Sequence, residues 1–382
     1  MHRVHRPRRV VAALGALATG TALALLPAAP ATAGIHGQEW FLDTLHIGQA
    51  HRYSTGKGVT VAVVDSGIDA GHPDLKGHVR KGVDLTGYSD KYGWGDDSGH
   101  GTAMAGIIAA QGGGEDHAYG IAPGADILPV QVGSDPPIER LANAIRWSVD
   151  HHAQVINISM GINRRDYSVL TAAVRYALDH NVVVIAAAGN LHNSPVRIQL
   201  PAKVPGVVAV TGTTRSGSFW NQSSHSKPAA LAAPADGITS TDSRTKFKSG
   251  YSTGYGTSAS AAIVSGVAAL VRAKYPDLDA ANLINRLTAT ADDKGPKGRD
   301  SRYGYGIVDP VRALTAKVPH VDRNPVGTPA AKSHRATSRA SEPSETTPVG
   351  LYVGIVVALL VVVALLIALL VVRGRRARRR RA

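Results

Sequence analysis

Four short segments carry side chains that could do chemistry together. Val61-Ala-Val-Val-Asp65 ends an apolar run on a carboxylate, followed at once by Ser66 and Gly67. Ser98-Gly-His100-Gly places an imidazole where a run of small residues begins. Ala186-Ala-Ala-Gly-Asn190 ends another apolar run on an amide, and Gly256-Thr-Ser258 puts a hydroxyl at the head of a segment running to Lys274. Singly, these are a turn acid, a surface histidine, a turn amide and a helix cap. Together, one acid, one imidazole, one amide and one hydroxyl make up the inventory of an acyl-transfer site.

Such an inventory works only if the fold converges on it. Short β-branched runs recur at Val59–Val64, Ile127–Val132, Val155–Ile158, Val182–Ala187 and Val207–Val210. Between and after them lie helical patterns at Thr102–Ala110, Ile138–His151, Tyr167–His180 and Ser260–Lys274. Continuous apolar strands alternating with helices predict an α/β, doubly wound domain, its mostly parallel sheet covered by helices on both faces. In such sheets the site forms where strands end and helices begin, which is where all four segments fall.

The 382 residues include no cysteine, so disulfides, thiolate metal sites and a cysteine nucleophile are excluded. A hydrophobic fraction of 44% excludes a wholly disordered chain. The net charge of +14 sits largely at the ends: residues 1–33 carry four arginines and 351–382 seven, neither with an acid, which leaves +3 for 34–350. A nucleic-acid partner is therefore not expected. Residues 1–33 pass from a basic stretch through an apolar one to Ala31-Thr-Ala33, the layout of a secretory signal peptide. Residues 351–372 run without charge or proline, long enough at about 1.5 Å per residue to cross a hydrocarbon core of about 30 Å. The arginine-rich tail 373–382 behind them holds that end in the cytoplasm, so the body is expected outside a single-pass membrane anchor. The Pro/Ser/Thr-rich segment 317–350 reads as a disordered linker, 34–58 as an N-terminal extension and 59–316 as the catalytic body. Asp96, Asp97, Asp116, Asp292 and Asp293 could serve as calcium ligands but read as exposed loop acids; no metal or cofactor is expected.

The blocks Val61–Asp69, Ser98–Gly106, Ala186–Asn190 and Gly256–Ser260 resemble, in the order Asp, His, Asn, Ser, the catalytic blocks of the subtilisin-like serine peptidases. The likeness extends to Asn157-Ile-Ser159-Met-Gly161 and Gly304-Tyr-Gly306-Ile-Val-Asp309. It implies that Ser258 is the nucleophile, His100 its base, Asp65 the residue that orients the imidazole, and Asn190 a donor to the oxyanion. It also implies that Ser159, Met160 and Gly161, with Ala188 and Gly189, flank the substrate chain before the cut. Ala259-Ser-Ala-Ala-Ile263 departs from the family, where a large residue often follows the serine; this reads as a matter of helix packing. Only 31 residues separate the expected cleavage point from Asp65, which leaves no room for a folding prodomain. Leader, Gln38-Glu-Trp40-Phe-Leu42, body, tether, membrane segment and basic tail together resemble the mycosins, membrane-anchored proteases associated with type VII secretion in actinobacteria. The resemblance implies a membrane-anchored endopeptidase acting on polypeptides, with type VII secretion components as partners. The other reading is a structural or binding component of a membrane complex on a protease scaffold.

Overall fold

The computed structural model describes residues 34–88, 92–191 and 197–329. The expected leader 1–33, membrane segment 351–372 and basic tail 373–382 lie outside the described residues, as does most of the expected linker. Among the described residues no helix is long and apolar enough to cross a membrane.

Three short helices open the chain, α1 (Ile35–Gln38), α2 (Trp40–Thr44) and α3 (Ile47–Ala50). The body follows as β1 (Thr60–Asp65), β2 (Val83–Asp84), α4 (His100–Ala109), β3 (Asp126–Gln131), α5 (Ile138–Asp150), β4 (Val155–Ile158), α6 (Ser168–Asp179), β5 (Val183–Ala187), β6 (Val208–Thr213) and β7 (Ala229–Pro234). It closes with the hairpin β8 (Ile238–Thr241) and β9 (Tyr251–Gly254), then α7 (Thr257–Lys274), α8 (Ala280–Ala289) and α9 (Pro310–Thr315). Seven strands form one sheet in the order β2-β3-β1-β4-β5-β6-β7, every described pairing parallel.

The period-two alternation of a strand sends successive side chains to opposite faces. Val61 and Val63 of β1 enter the core shared with α4 and α7, while Ala62 and Val64 enter the core shared with α5 and α6. The doubly wound expectation holds, and it has a consequence for the site. His100 opens α4 and Ser258 stands in the first turn of α7, so the imidazole and the hydroxyl ride on two helices packed against the same face. Chain order places β1 between β3 and β4, where the winding direction reverses, and Asp65 stands at the carboxyl end of that strand.

The segment 34–58 is built into the body. Trp40, Phe41, Leu42, Leu45 and Ile47 are buried in the α4/α7 core, and Trp40 Nε1 donates to the Gly237 carbonyl at 2.9 Å. Glu39 is buried beside them, its carboxylate accepting the Tyr119 N–H at 2.9 Å. Burial pushes that carboxyl up to about 8, more than the Tyr119 N–H lowers it, with Asp74 adding to the rise. At the other end, the body extends past the boundary expected at residue 316. Asn282 Nδ2 donates to the Val321 carbonyl at 3.1 Å, Tyr305 Oη donates to the Pro325 carbonyl at 3.1 Å, and Val326 is buried in the core. Residues 317–329, expected as linker, are therefore part of the folded body.

Candidate active site

Asp65, His100, Asn190 and Ser258 line one cleft of about 650 Å³. Asp65 is buried, 2% exposed, at the end of a strand whose every residue is buried. Its Oδ1 accepts the Ser66 N–H at 2.8 Å and the His100 Nδ1–H at 2.7 Å. Its Oδ2 is buried with no partner among the described residues, so the imidazole is the group best placed to answer its charge. Burial on its own would push His100 down. The Asp65 charge and hydrogen bond, with Asp96 behind them, outweigh both burial and the nearby Lys246 ammonium and hold His100 above its ordinary value. A ring raised in this way takes up a proton readily, as a general base must.

The loop that presents His100 is held by a residue expected to be exposed. Asp96 is buried, correcting the reading of it as an exposed loop acid. Its Oδ1 accepts from Ser66 Oγ and Gly99 N, both at 2.9 Å, and its Oδ2 from Thr102 N at 2.9 Å and Thr102 Oγ1 at 2.6 Å. Thr102 N is among the first N–H groups of α4, which lack partners within the helix, so Asp96 caps the helix that His100 opens. Among the described residues no group of three or more His, Cys, Asp or Glu could hold a metal ion.

Asn190 is fixed through its oxygen. Oδ1 accepts the Thr257 N–H at 3.1 Å and the Thr257 Oγ1–H at 3.2 Å, which leaves Nδ2 as the donor toward the cleft. The same Thr257 oxygen accepts the Gly189 N–H at 3.1 Å. Gly256 has φ of +147°, and a Cβ there would stand 3.2 Å from Asn190 Nδ2, so a side chain at 256 would crowd the donor.

Ser258 Oγ donates to the Ser159 carbonyl at 2.8 Å, and no hydrogen bond joins it to His100. Ser159 Oγ in turn donates to the Ser258 carbonyl at 3.0 Å and accepts from Asn157 Nδ2 at 2.9 Å, and Asn157 Oδ1 accepts from Ser265 Oγ at 3.0 Å. The Ser159 side chain thus ties the end of β4 to α7. Ser159 itself, with Met160, Gly161 and Gly189, lines the cleft. Ala188 does not: it is fully buried, its N–H donates to the Val210 carbonyl at 2.9 Å, and its carbonyl accepts from Gln199 N at 3.1 Å. Its place in the flanking set passes to Gln199. A Cβ added at Gly161 would stand 1.8 Å from Gln199 Oε1, and one at Gly189, where φ is +101°, would stand 2.7 Å away. The Gln199 amide therefore occupies the space between the two glycines. Nothing in the sequence marked Gln199, and Asp96 and Thr257, though they stand in segments the sequence singled out, gave no sign of these roles, because each depends on how a loop or a distant partner folds against it.

The order of these residues along the sheet finds a match. A model of the subtilase family, peptidase family S8, fits residues 56–306. The chain belongs to the subtilase family. Among its relatives, Mycosin-1 of Mycolicibacterium smegmatis is 34% identical over 333 residues, which is 73% of this chain and 73% of that protein. Fervidolysin of Fervidobacterium pennivorans is 33% identical over 332 residues, 77% of this chain but only 46% of that protein, so the match spans under half of its length. A solved structure of the MycP3 protease from the type VII (ESX-3) secretion system superposes with a TM-score of 0.66 at 32% identity, covering 75% of this chain and 90% of that one. In this subtilase the N-terminal helices α1–α3 supply no residue to the cleft, which therefore stays open past the extension.

Proposed function

We propose that this subtilase is a membrane-anchored serine endopeptidase that cleaves polypeptides outside the membrane through an acyl-enzyme, in the setting of a type VII secretion system. The observation that carries the reading is the 2.7 Å bond between His100 and a buried Asp65, opening on the same cleft as Ser258 and an Asn190 amide whose oxygen is already taken. A serine hydroxyl is a weak nucleophile until a base removes its proton. In the reaction, Ser258 Oγ turns from the Ser159 carbonyl toward His100 Nε2, gives up its proton and attacks the scissile carbonyl. Asp65 keeps Nδ1 protonated and stabilises the imidazolium as it forms. The oxyanion is met by Asn190 Nδ2 and the Ser258 backbone N–H, at the head of α7 where the helix dipole also favours negative charge. His100 then protonates the leaving amine, and water attacks the ester by the reverse sequence.

The secretion setting is supported by the mycosin relatives and by the printed subject of the matching structure. The topology rests on the sequence: a leader at 1–33, an uncharged span at 351–372 and arginines behind it. Substrates are bound with the acyl portion along Met160 and Gly161 and the side chain before the cut beside Gly189 and Gln199. A fluorophosphonate probe applied to the full chain in membranes tests the chemistry. Labelling of wild type and not of Ser258→Ala is expected; a folded wild type that stays unlabelled would overturn the reading.

A further inference from the structure

The loop between β8 and β9, residues 242–250, touches both segments that carry the acid and the imidazole. Arg244 reaches the turn behind Asp65. Its Nε donates to Asp69 Oδ2 at 2.8 Å and its Nη2 to Asp69 Oδ1 at 3.1 Å, a two-toothed pair. The Arg244 backbone N–H adds a bond to the same Oδ2 at 3.3 Å. The next two residues reach the loop before His100. Thr245 Oγ1 donates to the Asp96 carbonyl at 3.2 Å, and Lys246 Nζ donates to the Ser98 carbonyl at 2.7 Å. Buried Asp242 closes the same side, since a Cβ at Gly99 would stand 1.8 Å from its Oδ1.

The loop is stiffened for such a task. Its ends are joined by the Asp242 N–H, which donates to the Gly250 carbonyl at 2.6 Å. That carbonyl also accepts from Nε2 of fully buried His72 at 2.8 Å, and His72 Nδ1 accepts the Asp74 N–H at 3.1 Å, which makes Nε2 the donor. Within the loop the Lys246 and Phe247 N–H groups both donate to the Ser243 carbonyl, at 3.0 and 2.9 Å. At its base Thr241 Oγ1 and Ser240 Oγ donate to the Thr102 and Ala103 carbonyls of α4, at 2.8 and 3.1 Å.

An exposed ion pair contributes little on its own, but a two-toothed arginine–carboxylate pair inside a network is the exception. Burial would raise the Asp69 carboxyl; the Arg244 hydrogen bonds and charge outweigh it and hold the group below its ordinary value. Asp69 is also tied inward. Its N–H donates to Thr102 Oγ1 at 2.9 Å, and Thr102 donates to Asp96 through both its N–H and its hydroxyl. Three consecutive side chains, Arg244 to Lys246, therefore span the two segments whose separation decides whether the 2.7 Å bond between Asp65 and His100 forms.

We propose that Arg244, acting through Asp69, is a positioning residue for the reaction: with Thr245 and Lys246 it makes the β8–β9 loop a brace that sets the approach of His100 to Asp65. The proposal rests on the serine peptidase reading, and its test has a readout that needs no substrate. A proton in a short bond to a carboxylate is strongly deshielded, so the His100 Nδ1 proton should give a low-field NMR resonance in the full chain, held in detergent micelles. Asp65, Asp96 and Lys246 are the charged groups that face His100 from β1, its own loop and the brace. None of them is altered in the variants below, so the resonance reports geometry.

Arg244→Ala is expected to lower kcat on a peptide substrate by about tenfold with KM changed less than about twofold, short of the roughly hundredfold that a 1 Å misplacement can cost. Its Nδ1 resonance should move upfield or broaden into exchange with water. Asp69→Asn should do the same, and the double variant should lose no more than about twofold beyond either single one, because one link has been cut twice. Arg244→Lys keeps the charge and one of the two bonds, so it should fall between wild type and Arg244→Ala; altered at an exposed position, it serves where Asp69→Asn does not fold. A wild-type resonance in Arg244→Ala, or losses that multiply in the double variant, would overturn the brace. A wild type that shows the resonance yet cleaves no peptide and takes no fluorophosphonate would overturn the peptidase reading, and the shift in Arg244→Ala would still decide whether the brace holds His100 on Asp65.

Discussion

Replacing Thr257 by valine keeps the shape of the side chain and removes one hydroxyl that serves two partners. That hydroxyl donates to Asn190 Oδ1 at 3.2 Å and accepts from Gly189 N at 3.1 Å, in a residue that is fully buried. Asn190 Oδ1 keeps its bond from the Thr257 N–H, so the amide loses one of two anchors. A neutral hydrogen bond is worth about 0.5–1.5 kcal/mol net. If that energy positions Nδ2 only when the oxyanion forms, turnover falls by about two- to thirteenfold with KM little changed. Removing the donor altogether in Asn190→Ala should cost about 10²–10³, the range known for the corresponding amide in subtilisin. Separately, the Gly189 N–H is left buried without a partner, which costs about 1–3 kcal/mol of stability. Steady-state kinetics on a peptide substrate beside thermal melts of both variants and of Thr257→Ser provide the assay. Thr257→Ser should recover most of both losses. A Thr257→Val enzyme that melts lower yet turns over at the wild-type rate would refute the anchoring role. A loss as deep as that of Asn190→Ala would refute the idea that two anchors share the work.

Three further outcomes are expected. Asp65 raises the His100 pKa, so activity, which needs the neutral ring, should climb with pH through an inflection above 6.5; NMR titration of His100 should fall to a lower midpoint in Asp65→Asn. Glu39 titrates near 8 when folded against 4.5 as its ordinary value, so the folded state holds the extra proton between these values and wild-type stability should decline as pH rises through that window. Melts from pH 5 to 9 should show Glu39→Gln escaping that decline, and parallel curves would count against it. Gln199→Ala, by clearing the space between Gly161 and Gly189, should shift preference before the cut toward larger side chains by about tenfold in kcat/KM across a peptide series. An unchanged series would remove Gln199 from the site.

The sheet and the four reactive residues were legible because burial on both faces writes continuous valine and isoleucine runs, and because each reactive residue closes such a run or opens a helix. β7, Ala229–Pro234, was not legible: Ala-Ala-Leu-Ala-Ala-Pro has weak strand preference, and its place beside β6 comes from complete burial. The β8–β9 hairpin escaped notice for a related reason, since Ile-Thr-Ser-Thr and Tyr-Ser-Thr-Gly are mostly polar and turn their Ser and Thr hydroxyls to partners across the fold. The sequence shows that Ser159 borders the groove but not that its hydroxyl faces α7, a direction that depends on how β4 and α7 meet. The end of the body near residue 329 was hidden because Val326 is one buried side chain in a stretch whose composition suits a tether.

The seating of α4 has a consequence for how such a sequence can change. A Cβ at Gly101 would stand 2.0 Å from the Gly67 carbonyl oxygen, and one at Gly106 would stand 2.1 Å from Thr241 Oγ1. The helix that begins at the His100 imidazole therefore lies in near-contact with a turn on one side and a hairpin on the other. A single added methyl would tilt the whole rod, and His100 at its tip would swing away from Asp65 although no catalytic atom had been altered. Selection for turnover is thus felt at glycines that never meet a substrate. Variation among descendants should run freely through the outer helices and halt at these two positions, where the tolerance is smaller than a carbon atom.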